Sequence, residues 1–143
     1  SNQTLNPKSG DVKSLNVFLS SAMTAKVADF GAATSTIPSS EPAGTIQWSA
    51  PEVLICIEGR PKPYDGKCDI FSFGILLWEL YHCSCPYSET GLDQMSILQA
   101  VLYKNLRPRI SSWVPEDIKI LIGETLQTDA KKRPPFSEIV FRL

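Results

Sequence analysis

The densest run of apolar positions in this chain lies between residues 68 and 81, where nearly every side chain is apolar. The polar or small exceptions in this run are Asp69, Ser72, Gly74 and Glu79. A helix that is apolar on all sides has no solvent-facing stripe and must be surrounded by other elements. The pattern therefore predicts that residues 68–81 form a helix at the centre of the core.

Amphipathic patterns later in the chain predict three more helices. Residues 96–103 carry apolar side chains at helical spacing, and Pro115 is followed by two acids, which suits the first turn of a helix. A last helix is predicted over residues 135–143. The apolar positions of these three helices are Ile97, Leu98, Val101, Leu102, Ile118, Leu121, Ile122, Leu126, Phe136, Ile139 and Val140.

Two short apolar segments near the start of the chain predict a β-hairpin. They cover residues 17–19 and 26–28, and mostly small and polar residues separate them. This arrangement would bring Asn16 and Asp29 together near the open end of the hairpin.

Two further stretches show no periodic pattern. Residues 1–10 are polar and turn-rich, which predicts loop or disorder. Residues 32–43 are rich in Ala, Ser, Thr and Pro, which predicts a mobile segment. The elements together predict an α+β fold that is mostly α, a helical lobe with one small hairpin.

Composition narrows the class of protein only modestly. The 143 residues have 43% apolar and 20% charged side chains and a net charge of −1, which is typical of a single globular domain. The balanced charge gives no reason to expect nucleic acid as a partner. Because no apolar run approaches the length of a membrane span, we expect a soluble, cytoplasmic chain.

Cysteine spacing leaves two interpretations open. Of the four cysteines only Cys83 and Cys85 are close in sequence, and a metal site between them is one possibility. Reduced thiols in a reducing compartment are the favoured interpretation. His82, just after the core helix, is predicted to cap the negative end of that helix rather than to act in catalysis.

Four polar residues in the first thirty together offer metal ligands, a base and a positive charge. Asn16 and Asp29 offer the oxygen ligands that Mg²⁺ prefers. Asp11 is suited to orient or deprotonate an attacking hydroxyl, and Lys13 to offset negative charge. Each residue alone would favour a plain turn, where Asp and Asn bond to the local backbone. The ordered spacing of all four favours a functional site.

Three sequence blocks further along the chain, together with these four residues, carry a family resemblance. Residues 44–52 read Gly-Thr-Ile-Gln-Trp-Ser-Ala-Pro-Glu, residues 69–74 read Asp-Ile-Phe-Ser-Phe-Gly, and residues 129–134 read Asp-Ala-Lys-Lys-Arg-Pro. In this order the blocks resemble the C-lobe of a protein kinase catalytic domain, and most closely the tyrosine-kinase-like branch of Ser/Thr kinases. The resemblance covers residues 11–143, whereas residues 1–10 do not match.

The resemblance implies a role for each motif residue in the complete domain. Asp11 would position the substrate hydroxyl and Lys13 would stabilise charge, while Asn16 and Asp29 would hold Mg²⁺. Thr45 would bridge Asp11 and Lys13, which favours Ser or Thr over Tyr as the acceptor. The implied cofactors are ATP and Mg²⁺, and the implied partners are ATP and a protein substrate.

Three other residues are implied to have structural roles. Glu52 and Arg133 would form a buried ion pair that fastens the activation segment to the helical lobe. Asp69 would bond to the backbone of the catalytic loop. The alternative for Glu52 and Arg133 is a pair of surface charges, which would contribute little to stability.

The sequence also departs from the family pattern. Ser9 and Gly10 stand where the family has His-Arg, and the glycine-rich loop, strand lysine and helix glutamate of the N-lobe are not among the 143 residues. We therefore expect a fragment without the N-lobe, and no kinase activity from these 143 residues alone. A wrong gene-model junction or a rearrangement would account for residues 1–10.

Two questions stay open at the level of sequence. The first is whether the complete protein is an active kinase, a non-catalytic pseudokinase-like interaction module, or an inactive gene-model fragment. The second is whether the hydroxyl groups between residues 34 and 40 are sites of phosphorylation or parts of a flexible loop. Those hydroxyl residues are Thr34, Ser35, Thr36, Ser39 and Ser40.

Overall fold

The computed structural model describes residues 12–28, 46–60 and 63–143. Within these ranges the chain is mostly helical, with one two-stranded antiparallel sheet, so the predicted fold class is confirmed. The elements are β1 (Val17–Leu19), β2 (Ala25–Val27), α1 (Pro51–Ile57), α2 (Lys67–His82), α3 (Gln94–Tyr103), α4 (Glu116–Thr125) and α5 (Phe136–Arg142). The predicted disorder of residues 1–10 and mobility of residues 32–43 fall outside the described residues.

Helix α2 is the centre of the core, as the apolar run predicts. Ten of its 16 residues are buried, and they include the polar Asp69 and Ser72. The helix ends at His82, and the next residue, Cys83, adopts the left-handed conformation with φ of 48°. His82 lies in the last turn, where its ring nitrogen Nδ1 is 2.8 Å from the Trp78 carbonyl oxygen. Its Nε2 accepts the Ser111 backbone N–H, so Nδ1 carries the proton and donates to that carbonyl.

Helix α4 crosses α2 at very close range. A Cβ atom added to Gly74 of α2 would lie 2.1 Å from Oγ1 of Thr125, a buried residue at the end of α4. Thr125 cannot easily move aside, because its hydroxyl donates to the Ile122 carbonyl at 2.8 Å. Glycine at position 74 therefore sets the distance between the two helices.

Helices α3 and α4 follow the predicted pattern closely. The α3 helix begins two residues before the predicted start, because the Asp93 carboxylate accepts the Ser96 backbone N–H at 2.8 Å and caps it. This hydrogen bond lowers the pKa of Asp93. The buried positions of α3 and α4 include Ile97, Leu98, Val101, Ile118, Leu121 and Ile122.

The first and last helices differ from the sequence-based expectation. The pattern did not predict α1, because residues 53–57 are continuously apolar and carry no helical period. In α5 only Ile139 is buried, whereas Val140 is 74% exposed and Phe136 is 41% exposed. The Phe136 ring still packs edge-on against Phe73 of α2, with 5.8 Å between ring centroids.

A polar cluster ties the end of α1 to α3. The Tyr103 hydroxyl donates to Glu58 Oε2 at 2.6 Å, and the Gln99 amide donates to Glu58 Oε1 at 2.8 Å. Arg60 pairs with the same carboxylate. These donors lower the pKa of Glu58 to about 2, with the Tyr103 hydrogen bond as the largest cause.

The predicted hairpin is present, with β2 one residue earlier than predicted. Val17 pairs with Val27 and Leu19 with Ala25. Neither strand is buried, and Phe18 and Leu19 are largely exposed. Among the residues described, no helix combines the length and apolar character needed to cross a membrane.

The close contact between α2 and α4 gives a stability prediction. We expect Gly74→Ala to lower the free energy of unfolding by about 1–3 kcal/mol, because the added methyl overpacks the contact with Thr125. The matched control is Gly123→Ala in α4, where an added Cβ meets nothing within 4 Å. Removing this helical glycine should raise stability by about 0.5–1 kcal/mol. Urea denaturation followed by circular dichroism measures both, and equal effects of the two substitutions would contradict the prediction.

Candidate functional site

A short turn at the open end of the hairpin carries two of the candidate residues. Residues Ser14–Asn16 form a 3-10 turn, closed by a hydrogen bond from the Asn16 N–H to the Lys13 carbonyl at 3.0 Å. Asn16 is buried, and its carbonyl accepts the Ala28 N–H at 2.8 Å. The hairpin thus places the turn that carries Lys13 and Asn16 beside the residue that precedes Asp29.

The other three candidates for chemistry fall outside the described residues. They are Asp11, Asp29 and Thr45. The assigned roles of these three residues therefore stay predictions, as do those of Lys13 and Asn16. The donor set fits Mg²⁺, because the carboxamide of Asn16 and the carboxylate of Asp29 both offer hard oxygen ligands.

The Glu79 carboxylate on α2 contacts the turn formed by Ser14–Asn16. The Ser14 hydroxyl, which is next to Lys13, donates to Glu79 Oε1 at 2.9 Å. The indole Nε1 of Trp48 donates to Glu79 Oε2 at 2.7 Å. The sequence pattern marks Glu79 only as a polar interruption of the apolar run, although an acid inside an otherwise apolar helix indicates a polar partner.

The structure brings Glu52 and Arg133 together as an ion pair. The guanidinium is bidentate, with NH1 at 2.6 Å from Glu52 Oε1 and NH2 at 2.9 Å from Oε2. The Arg133 side chain is fully buried, whereas that of Glu52 is 17% exposed. The predicted partners therefore meet in the interior, and a surface pair of little energetic value is excluded.

The remaining donors of Arg133 also have partners. Its Nε donates to the Gln127 carbonyl at 2.9 Å, and NH1 donates to the Lys67 carbonyl at 2.8 Å. The guanidinium also lies over the Phe71 ring, 5.2 Å from the centroid. One side chain thus joins α1, the start of α2 and the segment that follows α4.

Asp69 is buried in the first turn of α2. The Cys68 thiol lies 3.9 Å from Oδ1 of its carboxylate, which is long for a hydrogen bond. The contact predicted for Asp69 with the catalytic-loop backbone stays a prediction, because part of that loop lies outside the described residues.

All four cysteines lie in the part of the chain that the structure describes. All four are free thiols, with Cys68 buried and both Cys83 and Cys85 exposed. Burial, with a smaller effect from Glu79, raises the pKa of Cys85. Across residues 12–28, 46–60 and 63–143, no group of three or more His, Cys, Asp or Glu side chains is arranged to hold a metal ion.

Comparison with known families agrees with the arrangement of the described elements. The sequence profile of the protein kinase domain matches residues 10–142, which is nearly the whole chain. The chain therefore belongs to the protein kinase domain family. This family generally uses ATP and Mg²⁺ and acts on proteins.

Similar proteins come from plants and animals. The chain is 37% identical over 137 residues to the probable serine/threonine-protein kinase SIS8 of Arabidopsis thaliana. It is 38% identical over 136 residues to mitogen-activated protein kinase kinase kinase 13-B of Xenopus laevis. In both cases the match covers 93% of this chain but only 13% of the relative. The chain thus spans a small part of the length of these relatives.

The buried ion pair gives a second stability prediction. Glu52→Gln keeps the shape of the side chain but leaves the buried Arg133 without its counter-charge. We expect the free energy of unfolding to fall by about 3–5 kcal/mol. Urea denaturation monitored by tryptophan fluorescence measures the loss.

A matched control uses the ion pair of Arg142 with Glu124, which is partly exposed. Glu124→Gln should cost no more than about 1 kcal/mol, because exposed pairs are screened by water and salt. A loss at Glu52 as small as the loss at Glu124 would show that the Arg133 pair does not fasten the fold.

Proposed function

We propose that the complete protein containing this chain is a Ser/Thr protein kinase of the tyrosine-kinase-like branch. Its reaction would transfer the γ-phosphoryl group of ATP to a Ser or Thr hydroxyl of a protein substrate. Membership of the protein kinase domain family over residues 10–142 carries this proposal. The names of the relatives as serine/threonine-protein kinases support the choice of acceptor.

The roles of the chain's own residues follow from their chemistry. Asp11 would accept a hydrogen bond from the substrate hydroxyl and take up its proton. Lys13 would offset the negative charge of the transferring group, and Thr45 would bridge Asp11 and Lys13. Asn16 and Asp29 would hold Mg²⁺, which neutralises phosphate charge when it is bound.

The hydrogen bonds of the hairpin support this arrangement. Buried Asn16 is held from both sides, because its N–H donates to Lys13 and its carbonyl accepts from Ala28. A side chain on such a fixed backbone can meet a ligand without first losing much conformational freedom. The hairpin would therefore pre-organise the ligand residue on the turn.

The proposal extends to partners and location. A protein substrate and ATP are the proposed partners, and the proposed location is the cytoplasm. Nucleic acid is not a proposed partner, because the net charge of −1 offers no basic excess for a phosphate backbone.

Phosphoryl transfer by the complete protein tests the proposal. With Mg-ATP and a protein rich in Ser and Thr, we expect labelled phosphoserine or phosphothreonine and no phosphotyrosine. Asp29→Ala should abolish the transfer, and Lys13→Ala should slow it by roughly 100-fold or more. The matched control is Lys26→Ala on the exposed strand β2, which should leave the rate unchanged.

A complete protein that folds but transfers no phosphoryl group would overturn the proposal. In that case retained binding of protein partners would favour the non-catalytic interaction module.

A further inference from the structure

A cleft of about 610 Å³ lies between two loops at the end of α2. The loop from α2 to α3 contributes Glu89 to its wall, and the loop from α3 to α4 contributes Arg109 and Trp113. His82, the last residue of α2, also lines the cleft. Among the described residues, none of the candidates for phosphoryl transfer lines it. The cleft is therefore distinct from the turn that carries those candidates.

Three aromatic rings meet at this cleft. The imidazole of His82 stacks on the indole of Trp78, with 4.1 Å between ring centroids and an angle of 8° between the planes. The Trp113 ring packs against the same imidazole, with 5.7 Å between centroids and a tilt of 46°. Trp78 is buried, whereas Trp113 is 70% exposed. An exposed Trp that borders a cleft is typical of a binding surface, because Trp is enriched among the residues that anchor partners.

The backbone that carries Trp113 is held in place on both sides of the ring. Ser111 donates its N–H to Nε2 of His82 at 3.0 Å. Val114 follows Trp113 directly, its side chain is buried, and its N–H donates to the Ser111 carbonyl at 3.3 Å. The exposed ring is therefore presented on a fixed segment, which lowers the entropy cost of binding a partner.

Several of the N–H donors around the cleft already have acceptors. The His82 ring donates from Nδ1 to the Trp78 carbonyl and accepts the Ser111 N–H at Nε2. An imidazole that donates at one nitrogen and accepts at the other carries no positive charge. The Arg109 N–H points to Oε1 of Glu89 at 3.4 Å. These groups are therefore not available to bind an anion.

The charges at the cleft favour a cation as the ligand. Glu89 and Arg109 are the charged side chains among the described lining residues, and both are exposed. Neither forms an ion pair with another described residue. A cation is attracted both by the Glu89 carboxylate and by the electron-rich face of Trp113, whereas an anion would be attracted by the Arg109 guanidinium alone.

We propose that this cleft is a docking site for an arginine side chain of a protein partner. The guanidinium stacks on the exposed face of Trp113 and pairs with the Glu89 carboxylate. Arginine suits both contacts better than lysine, because its guanidinium is planar, weakly hydrated and able to pair with a carboxylate through two N–H groups. A cleft of this volume holds a drug-sized ligand, so residues that flank the arginine also fit. The inference goes beyond phosphoryl transfer and does not depend on it.

Titration with a blocked arginine tests the chemistry of the ligand. The probe is N-acetylarginine amide, added to the ¹⁵N-labelled 143-residue chain, and the readout is the indole N–H signal of Trp113. We expect a saturable shift with a dissociation constant in the millimolar range, because one cation–π contact and one ion pair at an exposed site are each weak. The indole signals of Trp48 and Trp78 should stay in place, since both rings are buried and donate to other acceptors.

Two further probes control for shape and for charge. N-acetylcitrulline amide keeps the shape of arginine without its charge, and it should bind at least about fivefold more weakly. N-acetylaspartate amide carries the opposite charge and should not shift the Trp113 signal. Equal binding of the arginine and citrulline probes, or tighter binding of the aspartate probe, would overturn the proposal.

Substitutions assign the contacts within the cleft. Glu89→Gln should weaken binding of the arginine probe by about fivefold, whereas Arg109→Gln should strengthen it by up to about threefold, because it removes the competing cation. The matched control is Glu124→Gln, which removes a partly exposed acid outside the cleft and should leave binding unchanged. An unchanged Trp78 signal in each variant reports an intact fold. Binding that is the same in Glu89→Gln and Glu124→Gln would contradict the assigned contact.

A peptide selection applies the same test to the complete protein. Random peptides displayed on phage are selected on the wild type and counter-selected on a variant that carries Glu89→Gln and Trp113→Leu. The peptides that depend on both residues should share an arginine at one position. Peptides that share an acidic or a proline motif without arginine, or a selection that yields no arginine motif, would overturn the proposal.

The outcomes separate this proposal from the kinase function. A folded protein that transfers no phosphoryl group but binds arginine through the cleft retains the docking site and loses the proposed activity. An active protein whose Trp113 signal ignores the arginine probe retains the activity and loses the docking site.

Discussion

Helix α2 is enclosed by other elements over most of its length, and the rest of the structure depends on that enclosure. A buried helix is stabilised by the apolar surface it removes from water on every side, so its neighbours gain stability only while they remain packed on it. The approach of α4 at Gly74 and the edge contact of Phe136 with Phe73 are consequences of this packing. Among the described helices, α2 therefore contributes the most buried apolar side chains to the core.

Polar side chains on and around α2 fix the positions of segments that apolar packing alone would hold less firmly. Ser72 and Glu79 hold the Trp48 segment, and Glu79 also holds the turn of Ser14. Arg133 accomplishes the same at the start of α2, through Glu52 and the Lys67 carbonyl. Each of these buried or partly buried polar groups would be costly if unpaired, so each one favours a single position for its partner. The turn that carries Lys13 and Asn16 is attached to α2 through the contact between Ser14 and Glu79.

Much of the fold could be predicted from the sequence, because the relevant signals are local. The continuous apolar run marked α2, and periodic apolar positions marked α3 and α4. Helix α1 was missed because its short apolar run has no period. Val140, one of the apolar positions that predict α5, is exposed because α5 packs through Ile139 and the edge of Phe136. The Glu52–Arg133 contact came from the family resemblance, since 81 residues separate the partners. No local rule could pair Glu79 with Ser14 and Trp48, because those contacts exist only once α2 is surrounded.

Native-state hydrogen exchange tests the central role of α2 most directly. The amide protons of residues 71–78 should exchange only through global unfolding, with an opening free energy equal to the value from urea denaturation. The amides of the exposed hairpin should exchange through smaller, local openings. Exchange of the α2 amides at a lower opening free energy than those of α3 or α4 would contradict a fold built around α2.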